Sequence, residues 1–353
     1  MIEKLILIFF VSILLSTIFV YITKKLFYKL KILDNPTKYG HKRDPIPHSM
    51  GVIFVVLFFI LSFFLIEHTQ KLYLLWGFGL LITFVSFIDD FYFLSPKLRL
   101  LIQIIIAGII GITSIKVGYI SNIFGGVIDL NEYFLQFGDF KIYLISFLFT
   151  IFWYVFIFNS LNWSDGIVGN TAGISIISFF VIFLLGLKLY FLDNYIGGKE
   201  NALFIMNLSI ILIGVLIPFF IGNIKEKFLM GDSGTMFLGF ILASLAIISG
   251  GKIGSVLVVF GIYAIDALYV IFKRISIGKN PLLGDNLHIH YRLLDAGLSK
   301  MQTLSIIYIF SFIFGICSLF LDKGGKIILL VIITFFVIFI PQIIKKSLKN
   351  EKK

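Results

Sequence analysis

The chain has 353 residues, of which 59% are hydrophobic and only 14% are charged, and its mean hydropathy is +1.04. A composition this apolar is not that of a soluble globular domain or of a disordered chain. The net charge of +11 comes without a basic stripe on a soluble domain, so it argues against a nucleic-acid partner and indicates contact with anionic lipids. The single cysteine, Cys317, lies in a predicted span and can form neither a disulfide framework nor a metal cluster.

The apolar residues form eleven runs close to the length of about 20 residues that crosses a bilayer as a helix. The runs are 5–22, 51–66, 72–88, 100–115, 142–161, 172–192, 203–221, 236–250, 253–272, 303–321 and 327–344. The first run lacks a small-residue cleavage site and is followed by Lys24 and Lys25, so it is interpreted as a span and not as a signal peptide. The sequence therefore predicts an all-α polytopic membrane helix bundle with about eleven transmembrane helices, folded as one domain over 1–353.

Lysine and arginine are distributed unevenly between the loops. If the 23–50 loop is cytoplasmic, the cytoplasmic side carries 21 of the 30 Lys and Arg residues. Because positive residues concentrate on the cytoplasmic side, the chain is predicted to run with its N-terminus outside and its C-terminus inside. The 116–141 segment, which contains Gly125 and Gly126, is predicted to form a hairpin on the outside.

Polar side chains cluster in five places, and all five fall on the predicted cytoplasmic side. The clusters are Asp34 to Gly51, Asp89 to Arg99, Asn159 to Asn170, Gly231 to Gly234, and Asp266 to Arg292. This asymmetry is expected of an enzyme that joins a water-soluble anionic substrate to a substrate anchored in lipid. It is not expected of the alternative class, a secondary transporter or flippase, whose polar groups lie near the bilayer midplane.

The aspartates and asparagines each have two interpretations. Asp89 and Asp90 directly follow an apolar run, so they are either a charged helix end or adjacent carboxylates that hold a divalent cation or act as a base. Asn159, Asn162 and Asp165 are spaced three residues apart, which places neighbours on nearly one face of a helix end. These side chains either cap that helix or offer oxygen ligands to Mg²⁺, leaving coordination positions for phosphate.

Two further aspartates lie in different surroundings. Asp232 stands in a glycine turn, which either caps the helix that follows or brings the aspartate to a metal while the glycine backbone admits an anion. Asp266 lies within a predicted span, where an ionisable group is costly. It is therefore either functional or the partner of Arg274 in a structural ion pair.

His288 and His290 are two residues apart, which is not a spacing for zinc on a helix. They are either solvated loop histidines or, together with Arg292, the binding site of a diphosphate. Arginine suits the second interpretation because its planar guanidinium binds two phosphate oxygens at once.

The clusters together resemble the polyprenyl-phosphate N-acetylhexosamine-1-phosphate transferase family, the bacterial glycosyltransferase-4 type that includes the WecA and MraY enzymes. The matching residues run from about Asp34 to Ser299, in the family's order. They are Ser86-Phe87-Ile88-Asp89-Asp90 with Leu94 to Arg99 and Gln103, Asn159-Ser160-Leu161-Asn162-Trp163-Ser164-Asp165-Gly166, Met230 to Thr235 with Leu238-Gly239-Phe240, and Asp266, Arg274, Gly278, Asp285, His288, Ile289, His290, Arg292 and Leu293. The last set is similar to the histidine loop of the WecA-like enzymes and lacks the consecutive histidines of the muramoyl-pentapeptide enzymes.

The resemblance implies phosphoryl transfer in cell-envelope glycan assembly, such as lipopolysaccharide or teichoic acid biosynthesis. A membrane polyprenyl phosphate of the undecaprenyl type attacks the β-phosphorus of a UDP-N-acetylhexosamine, and UMP leaves. The implied cofactor is Mg²⁺, or Mn²⁺, because two anions must meet. The implied location is the inner (plasma) membrane, multi-pass, with the active site facing the cytoplasm, and a homodimer is left open. The alternative within the family is a phospho-N-acetylmuramoyl-pentapeptide transferase, and both a direct attack and a route through an aspartyl-phosphate fit these residues.

The resemblance also implies roles for individual residues. The expected catalytic residues are Asp89 and Asp90, which orient or deprotonate the lipid phosphate, the expected metal ligands are Asp232 and Asn162, and the expected substrate-binding residues are Asn159, Asp165, His288, His290, Arg292, Lys97 and Arg43. The chain departs from the family pattern at two places. Tyr291 stands where the WecA-like enzymes usually have another histidine, and His41, which precedes Lys42 and Arg43, lies one place earlier than the usual histidine relative to Pro45 and Pro47.

The predicted orientation can be tested with single cysteines introduced after Cys317 is replaced. Cysteines in the 273–302 loop should react with an impermeant maleimide only from the cytoplasmic side, and cysteines at 322–326 only from the outside, because the cytoplasmic loops carry most of the positive charge. Labelling of both loops from one side would contradict the eleven-helix topology.

Overall fold

The computed structural model of the chain describes residues 1–36, 43–122, 125–192, 197–250 and 253–350. Helices dominate these residues. The helices are α1 (Ile2–Lys29), α2 (Val52–Leu65), α3 (Gln70–Tyr92), α4 (Pro96–Gly111), α5 (Leu144–Trp163), α6 (Asn170–Tyr190), α7 (Gly198–Asn223), α8 (Asp232–Ile248), α9 (Ile253–Val259), α10 (Gly261–Ser276), α11 (Ile289–Asp295), α12 (Lys300–Phe320) and α13 (Lys323–Asn350). The strands are β1 (Tyr119–Ser121), β2 (Val127–Asp129), β3 (Phe134–Phe137) and β4 (Phe140–Tyr143).

Each of the eleven predicted apolar runs coincides with helical structure. Within the described ranges, seven helices are long and apolar enough to cross a membrane, namely α1, α3, α5, α6, α7, α12 and α13, and the pair α9–α10 makes an eighth if it is one span. Helices α2 and α8 are apolar but shorter, with 14 and 17 residues. The protein is therefore an all-α polytopic membrane protein, as predicted. The number of eleven spans and the orientation stay predictions.

The run at 253–272, predicted as one straight span, is broken. Helix α9 ends at Val259, helix α10 begins at Gly261, and the two are bent by 82°. Glycine is a frequent site of sharp bends, and a side chain at Gly261 would come within 2.8 Å of Ile333 on α13. Helix α10 leaves the bend with Asp266 and Arg274 on its buried face.

The chain forms two compact units, each built from two separated segments. The first unit comprises Met1–Phe93 and Val168–Ile241, and the second comprises Leu94–Ile167 and Leu242–Lys353. Neither unit is a continuous stretch of sequence. The single domain predicted over 1–353 stays a prediction.

Small residues allow close helix packing in the first unit, where α1 and α6 both pack on α7. The hydroxyl of Ser16 on α1 donates a hydrogen bond of 2.6 Å to the carbonyl of Val215 on α7. A Cβ atom on Gly214 would lie 2.6 Å from Ser12. Helices in lipid associate through such small residues, because van der Waals contact and hydrogen bonds replace the hydrophobic driving force.

The end of the first loop runs beside the residues that precede α8. The backbone amide of Gly51 donates to the carbonyl of Met230 at 2.8 Å, and the amide of Leu229 donates to the carbonyl of Pro47 at 2.8 Å. A Cβ atom on Gly51 would come within 2.2 Å of the Cα atom of Gly234. The two backbones can lie this close only because both positions are glycine.

In the second unit, α4 packs on α5, and α5 is tied to the end of α8. The hydroxyl of Tyr154 lies 2.9 Å from the hydroxyl of Ser244, and the indole of Trp153 donates to the carbonyl of Ala243 at 3.1 Å. Both aromatic side chains are buried. Each therefore satisfies its polar atom where water is excluded.

The segment predicted as a hairpin contains two. Strand β1 pairs with β2 and strand β3 pairs with β4, both antiparallel. Gly125 and Gly126 precede β2 with φ values of 118° and 69°, a conformation that favours glycine. The hairpin is confirmed, whereas its location outside the cell stays a prediction.

The contact between Gly51 and Gly234 generates a stability prediction. Gly51→Ala should lower the stability of the protein by about 1–3 kcal/mol, because its new methyl group overlaps backbone atoms that cannot rotate away. Gly77→Ala is the matched control, since nothing lies within 4 Å of a Cβ atom at that position of α3. Thermal unfolding in detergent should show a lower Tm for the first variant only, and equal Tm values would contradict the close approach.

Candidate functional site

The first unit carries a cluster of acidic side chains at the end of α3 and the start of α8. Asp89 is buried and Asp90 is partly exposed. The carboxylate of Asp90 accepts hydrogen bonds from the backbone amides of Asp232 at 2.7 Å and Ser233 at 3.3 Å. The first amides of a helix have no partner within it and carry partial positive charge. Asp90 thus caps α8 while its neighbour in sequence, Asp89, lies buried beside it on α3.

Two residues of the first loop complete this cluster. The Ser49 hydroxyl donates to Asp90, and the Nδ1 atom of His48 lies 2.9 Å from that hydroxyl. Gly231, with φ 78°, permits the approach, because a Cβ atom there would lie 2.7 Å from both Asp90 and Ser49. The sequence interpretation missed His48 and Ser49. The available signal was their position directly before the second predicted span.

The acidic cluster fits a magnesium ion. The carboxylates of Asp90 and Asp232 interact unfavourably with each other, which a divalent cation would relieve. Within the described part of the chain, no group of three or more His, Cys, Asp or Glu side chains is arranged to hold a metal. Mg²⁺ commonly uses one or two carboxylates and completes its octahedron with phosphate and water, whereas structural zinc takes four protein ligands. The predicted ligand Asp232 belongs to this cluster, and the predicted ligand Asn162 belongs to the second unit.

Arg43, predicted to bind substrate, pairs with Asp34 in the first loop. Its guanidinium donates to both carboxylate oxygens, at 2.6 and 3.2 Å. Burial alone would raise the pKa of Asp34, but the hydrogen bonds from Arg43 and from the amide of Ile46 hold that pKa below its usual value. The pair orders the loop, and substrate binding by Arg43 stays a prediction. His41 and Lys42 lie outside the described residues.

The asparagine segment lies at the C-terminal end of α5 in the second unit. Asn159 donates to the side chain of Gln103 on α4 at 2.7 Å and to the carbonyl of Val155 at 2.8 Å. Asp165 follows in a short 3-10 helix, Ser164–Gly166. Lys97 is exposed on the first turn of α4. Gln103 was not predicted as a site residue, although an amide in an apolar helix was the available signal.

A cavity of about 330 Å³ lies beside this segment, with mainly apolar walls. Along α5 the lining changes from Ile151 and Phe152 to Asn159 and Asn162, a distance of about 16 Å at the rise of an α-helix. Its other lining residues are Pro96, Arg99, Leu100, Ile104, Val155, Phe156, Ser160, Trp163, Ile271 and Leu282. The cavity is thus apolar at one end, and at the other end it is lined by the amides of Asn159 and Asn162 and the guanidinium of Arg99.

Asp266 binds the histidine loop to α10. One carboxylate oxygen accepts from the backbone amide of Ile289 and from the guanidinium of Arg292, both at 2.9 Å. The other oxygen lies 2.8 Å from Nδ1 of His288. Asp266 has no exposed surface. A carboxylate buried in this way is stable only with such a complete set of donors.

Both histidines of the loop are buried, so the interpretation of solvated loop histidines is wrong. His288 is 5% exposed and His290 is fully buried. The rings are nearly parallel, with an interplanar angle of 8°. Burial lowers the pKa of His290 to about 3, only partly opposed by the charge of Asp266, so this imidazole is neutral at physiological pH. Neither of its nitrogens has a hydrogen-bond partner among the described residues.

Arg274 does not pair with Asp266, which corrects that alternative of the sequence interpretation. The two residues lie eight positions apart on α10, about 12 Å along a helix, too far for an ion pair. Arg274 instead binds the carboxylate of Asp285 with two hydrogen bonds of 2.9 Å and the carbonyl of Pro281 at 2.8 Å. Although burial opposes it, Arg274 lowers the pKa of Asp285. The arginine thereby folds the 281–285 segment onto α10.

The asparagine segment and the histidine loop meet at Gly166. A Cβ atom on Gly166 would lie 2.2 Å from Nε2 of His290, so only glycine fits against the ring. The hydroxyl of Tyr291 donates to the carbonyl of Gly166 at 3.3 Å. Burial and the nearby charge of Asp165 raise the pKa of Tyr291. The tyrosine that departs from the family pattern therefore holds these two motifs together in the second unit.

Comparison with known proteins agrees with this arrangement of motifs. Residues 72–250 match the family described as Glycosyl transferase family 4. A probable undecaprenyl-phosphate N-acetylglucosaminyl 1-phosphate transferase of Bacillus subtilis is 30% identical over 99% of this chain and 94% of its own length. The undecaprenyl-phosphate alpha-N-acetylglucosaminyl 1-phosphate transferase of Salmonella typhi is 28% identical over 83% of this chain and 77% of its own length.

A second group of relatives carries a different sugar in its name. The phospho-N-acetylmuramoyl-pentapeptide-transferase of Oceanobacillus iheyensis is 26% identical over 90% of this chain and 96% of its own length. The two groups thus share one scaffold that extends over most of the chain. Since the match to the family covers half of the sequence and a relative of 30% identity aligns along nearly all of it, the chain belongs to glycosyl transferase family 4.

Proposed function

We propose that the protein transfers N-acetylhexosamine 1-phosphate from a UDP-sugar to a membrane polyprenyl phosphate at the cytoplasmic face of the plasma membrane. A phosphate oxygen of the lipid forms a bond to the β-phosphorus of the UDP-sugar. The bond between that phosphorus and the oxygen bridging to the α-phosphate breaks, and UMP leaves with the electron pair. The products are UMP and a polyprenyl-diphospho-sugar.

The observation that carries this proposal is the cavity of the second unit. Its apolar wall, formed in part by Ile104, Ile151 and Phe152, suits an isoprenoid chain, and its polar end presents Arg99 and Asn162 to a phosphate. Small-ligand sites are typically apolar clefts with a few polar groups that fix orientation. A lipid with a phosphate head has this same division of polarity.

The acidic cluster of the first unit supplies the metal chemistry in this proposal. Asp232 would hold Mg²⁺, which when bound would neutralise charge on the phosphate oxygens. Asp90 is engaged at the amides of Asp232 and Ser233 and so keeps the metal ligand in place. Asp89 is then the member of the pair that orients or deprotonates the lipid phosphate. The part that Asn162 plays in metal binding stays a prediction from the sequence.

The histidine loop supplies donors for anionic groups. Arg292 is partly exposed, and its Nε atom is buried without a hydrogen-bond partner in the described part of the chain. Buried donors are normally satisfied, so this atom marks a position where a phosphate oxygen or water is expected. His288 lies next to it on the same carboxylate. His290 is fully buried and neutral, so its role is to support the loop by packing and not to contact the diphosphate.

The donor is proposed to be a plain UDP-N-acetylhexosamine and not the muramoyl-pentapeptide nucleotide, since the loop has His288 and His290 separated by Ile289. Ile289 is fully buried, so the loop orders its residues with an apolar anchor between the histidines. A transporter is disfavoured because Asp266, the carboxylate within a predicted span, already accepts from three donors of the chain itself and so has no acceptor left for a transported ion. Purified protein given radiolabelled UDP-sugars, polyprenyl phosphate and Mg²⁺ should release UMP and form a lipid-linked product.

The role of Asp232 predicts the effect of removing its charge. Asp232→Asn should reduce transfer to less than a tenth of the wild-type rate, a loss above ~1.4 kcal/mol of barrier, because a neutral amide binds Mg²⁺ poorly. Activity should vanish with EDTA and return with Mg²⁺ or Mn²⁺. Asp295→Asn, at an exposed carboxylate, is the control and should leave both rate and metal requirement unchanged. A variant at Asp232 that keeps more than a tenth of the rate would transfer the metal role to Asp89.

The cavity predicts a variant that discriminates between the two substrates. Ile104→Trp fills the apolar wall and should raise the KM for polyprenyl phosphate about tenfold while leaving the KM for UDP-sugar unchanged. Ile105→Trp changes the adjacent exposed residue of α4, outside the cavity lining, and should alter neither constant. Equal effects of both variants, or an effect on UDP-sugar alone, would exclude the cavity as the lipid site.

A further inference from the structure

Asp266 holds His288 and Arg292, the two side chains of the histidine loop that are proposed to bind anions, and its contact with His288 determines which nitrogen of that ring is available. Its Oδ1 atom accepts from the amide of Ile289 and from the guanidinium of Arg292, and its Oδ2 atom meets Nδ1 of His288 at 2.8 Å. An ionised carboxylate only accepts hydrogen bonds. With Asp266 accepting at this contact, as it does from Ile289 and Arg292, the Nδ1 atom of His288 is the donor and carries the proton.

The other ring nitrogen of His288 remains for a ligand. Among the described residues, both nitrogens of His290 are buried without a hydrogen-bond partner. Nε2 of His288 is not one of these buried, unpartnered atoms, and the His288 side chain keeps a small exposed area. Trp163 lies on one side of the His288 ring, with centroids 5.5 Å apart, and His290 lies parallel to it at 5.8 Å. Turning the ring out of this orientation would lose the bond to Asp266.

We propose that Asp266 is a positioning residue, which fixes His288 with its proton on Nδ1 and directs Nε2 toward a phosphate oxygen of the substrate, next to Arg292. This inference rests on the proposed function for the identity of the anion, a nucleoside diphosphate-sugar or a lipid phosphate. Its structural part, the proton on Nδ1, is independent of any reaction. In the phosphate-binding state, the imidazolium donates from Nε2 to the anion and from Nδ1 to Asp266, so the carboxylate balances the charge.

Asp266→Asn tests the proposal because it should remove the proton from Nδ1 of His288 while preserving the fold. The amide oxygen can still accept from Ile289 and Arg292, but the amide nitrogen is a donor and turns the Nδ1 atom of His288 into an acceptor. An aspartate-to-asparagine change beside a catalytic histidine in serine proteases preserves geometry and imposes the wrong tautomer in the same way. The protein has five histidines, so nitrogen-15 histidine labelling gives few signals, and His288→Gln identifies the signals of this ring.

Magic-angle-spinning NMR in liposomes should show a protonated Nδ1 at His288 in the wild type and an unprotonated Nδ1 in Asp266→Asn. An unprotonated Nδ1 in the wild type overturns the proposal, whether or not the protein proves active with any UDP-sugar. Thermal unfolding of the two proteins should agree to within a few degrees. If Asp266→Asn shows a large loss of Tm, Asp266→Glu serves as the second variant. It keeps the negative charge and should restore the proton on Nδ1 of His288.

Kinetics then separate a positioning role from a merely structural one. Asp266→Asn and His288→Gln should each lower kcat about 10- to 100-fold, as expected for losing a hydrogen bond to a charged group, with little change in the KM for UDP-sugar. The double variant should be no slower than His288→Gln alone, since the amide oxygen of the Asp266→Asn side chain still accepts from Ile289 and Arg292 and the interaction that is lost is the one made through the His288 ring. A further loss in the double variant would make Asp266 a structural anchor of α11 only, and wild-type kcat in Asp266→Asn would equally overturn the proposal. If the wild-type protein shows no transfer activity, the proposed function is refuted. The NMR result would still decide which nitrogen of His288 carries the proton.

Discussion

A carboxylate without exposed surface in an apolar helix is the constraint on which the histidine loop depends. Asp266 can remain charged in α10 only if donors surround it, and the chain supplies three from residues 288–292. Breaking one partner would leave a buried charge uncompensated, which costs more than the bond itself contributes. The loop is therefore held where the carboxylate is. A polar cluster that looks in the sequence like a solvated segment becomes one of the most constrained parts of the second unit.

The same physical rule recurs at other charged groups. Arg274 is almost fully buried and closes a two-pronged contact with Asp285, which folds the loop after α10. In the first unit, Asp90 satisfies the free amides at the start of α8. In each case a charged side chain of the sequence motifs also fixes the position of a backbone segment. The candidate site and the scaffold are built from the same few charges, because a chain with 14% charged residues has few others to use.

Glycine provides the complementary device. Where polar groups hold backbone in place, glycine lets backbone approach, at Gly166 against the His290 ring and at Gly51 against Gly234. Gly231 also has φ 78°, a region that other residues rarely adopt. These close approaches account for Gly231, Gly234 and Gly166 in the aspartate and asparagine motifs of this chain. Asp90 could not lie against Gly231, nor His290 against Gly166, if a methyl group stood at either position.

The sequence by itself determined that the protein lies in a membrane, that it is helical and in which order the polar motifs follow. It could do so because hydropathy and spacing are properties of neighbouring residues. It located the apolar helices, the hairpin segment and the three aspartates of the acidic cluster, Asp89, Asp90 and Asp232. Only the tertiary structure decided that α9 and α10 are bent apart, that Asp266 pairs with Arg292 and His288 instead of Arg274, and that His290 is fully buried. It also revealed His48 and Ser49 beside Asp90. Such partners are far apart in the chain, and which of several available donors a buried charge binds depends on distances of a few ångströms that residue spacing does not contain.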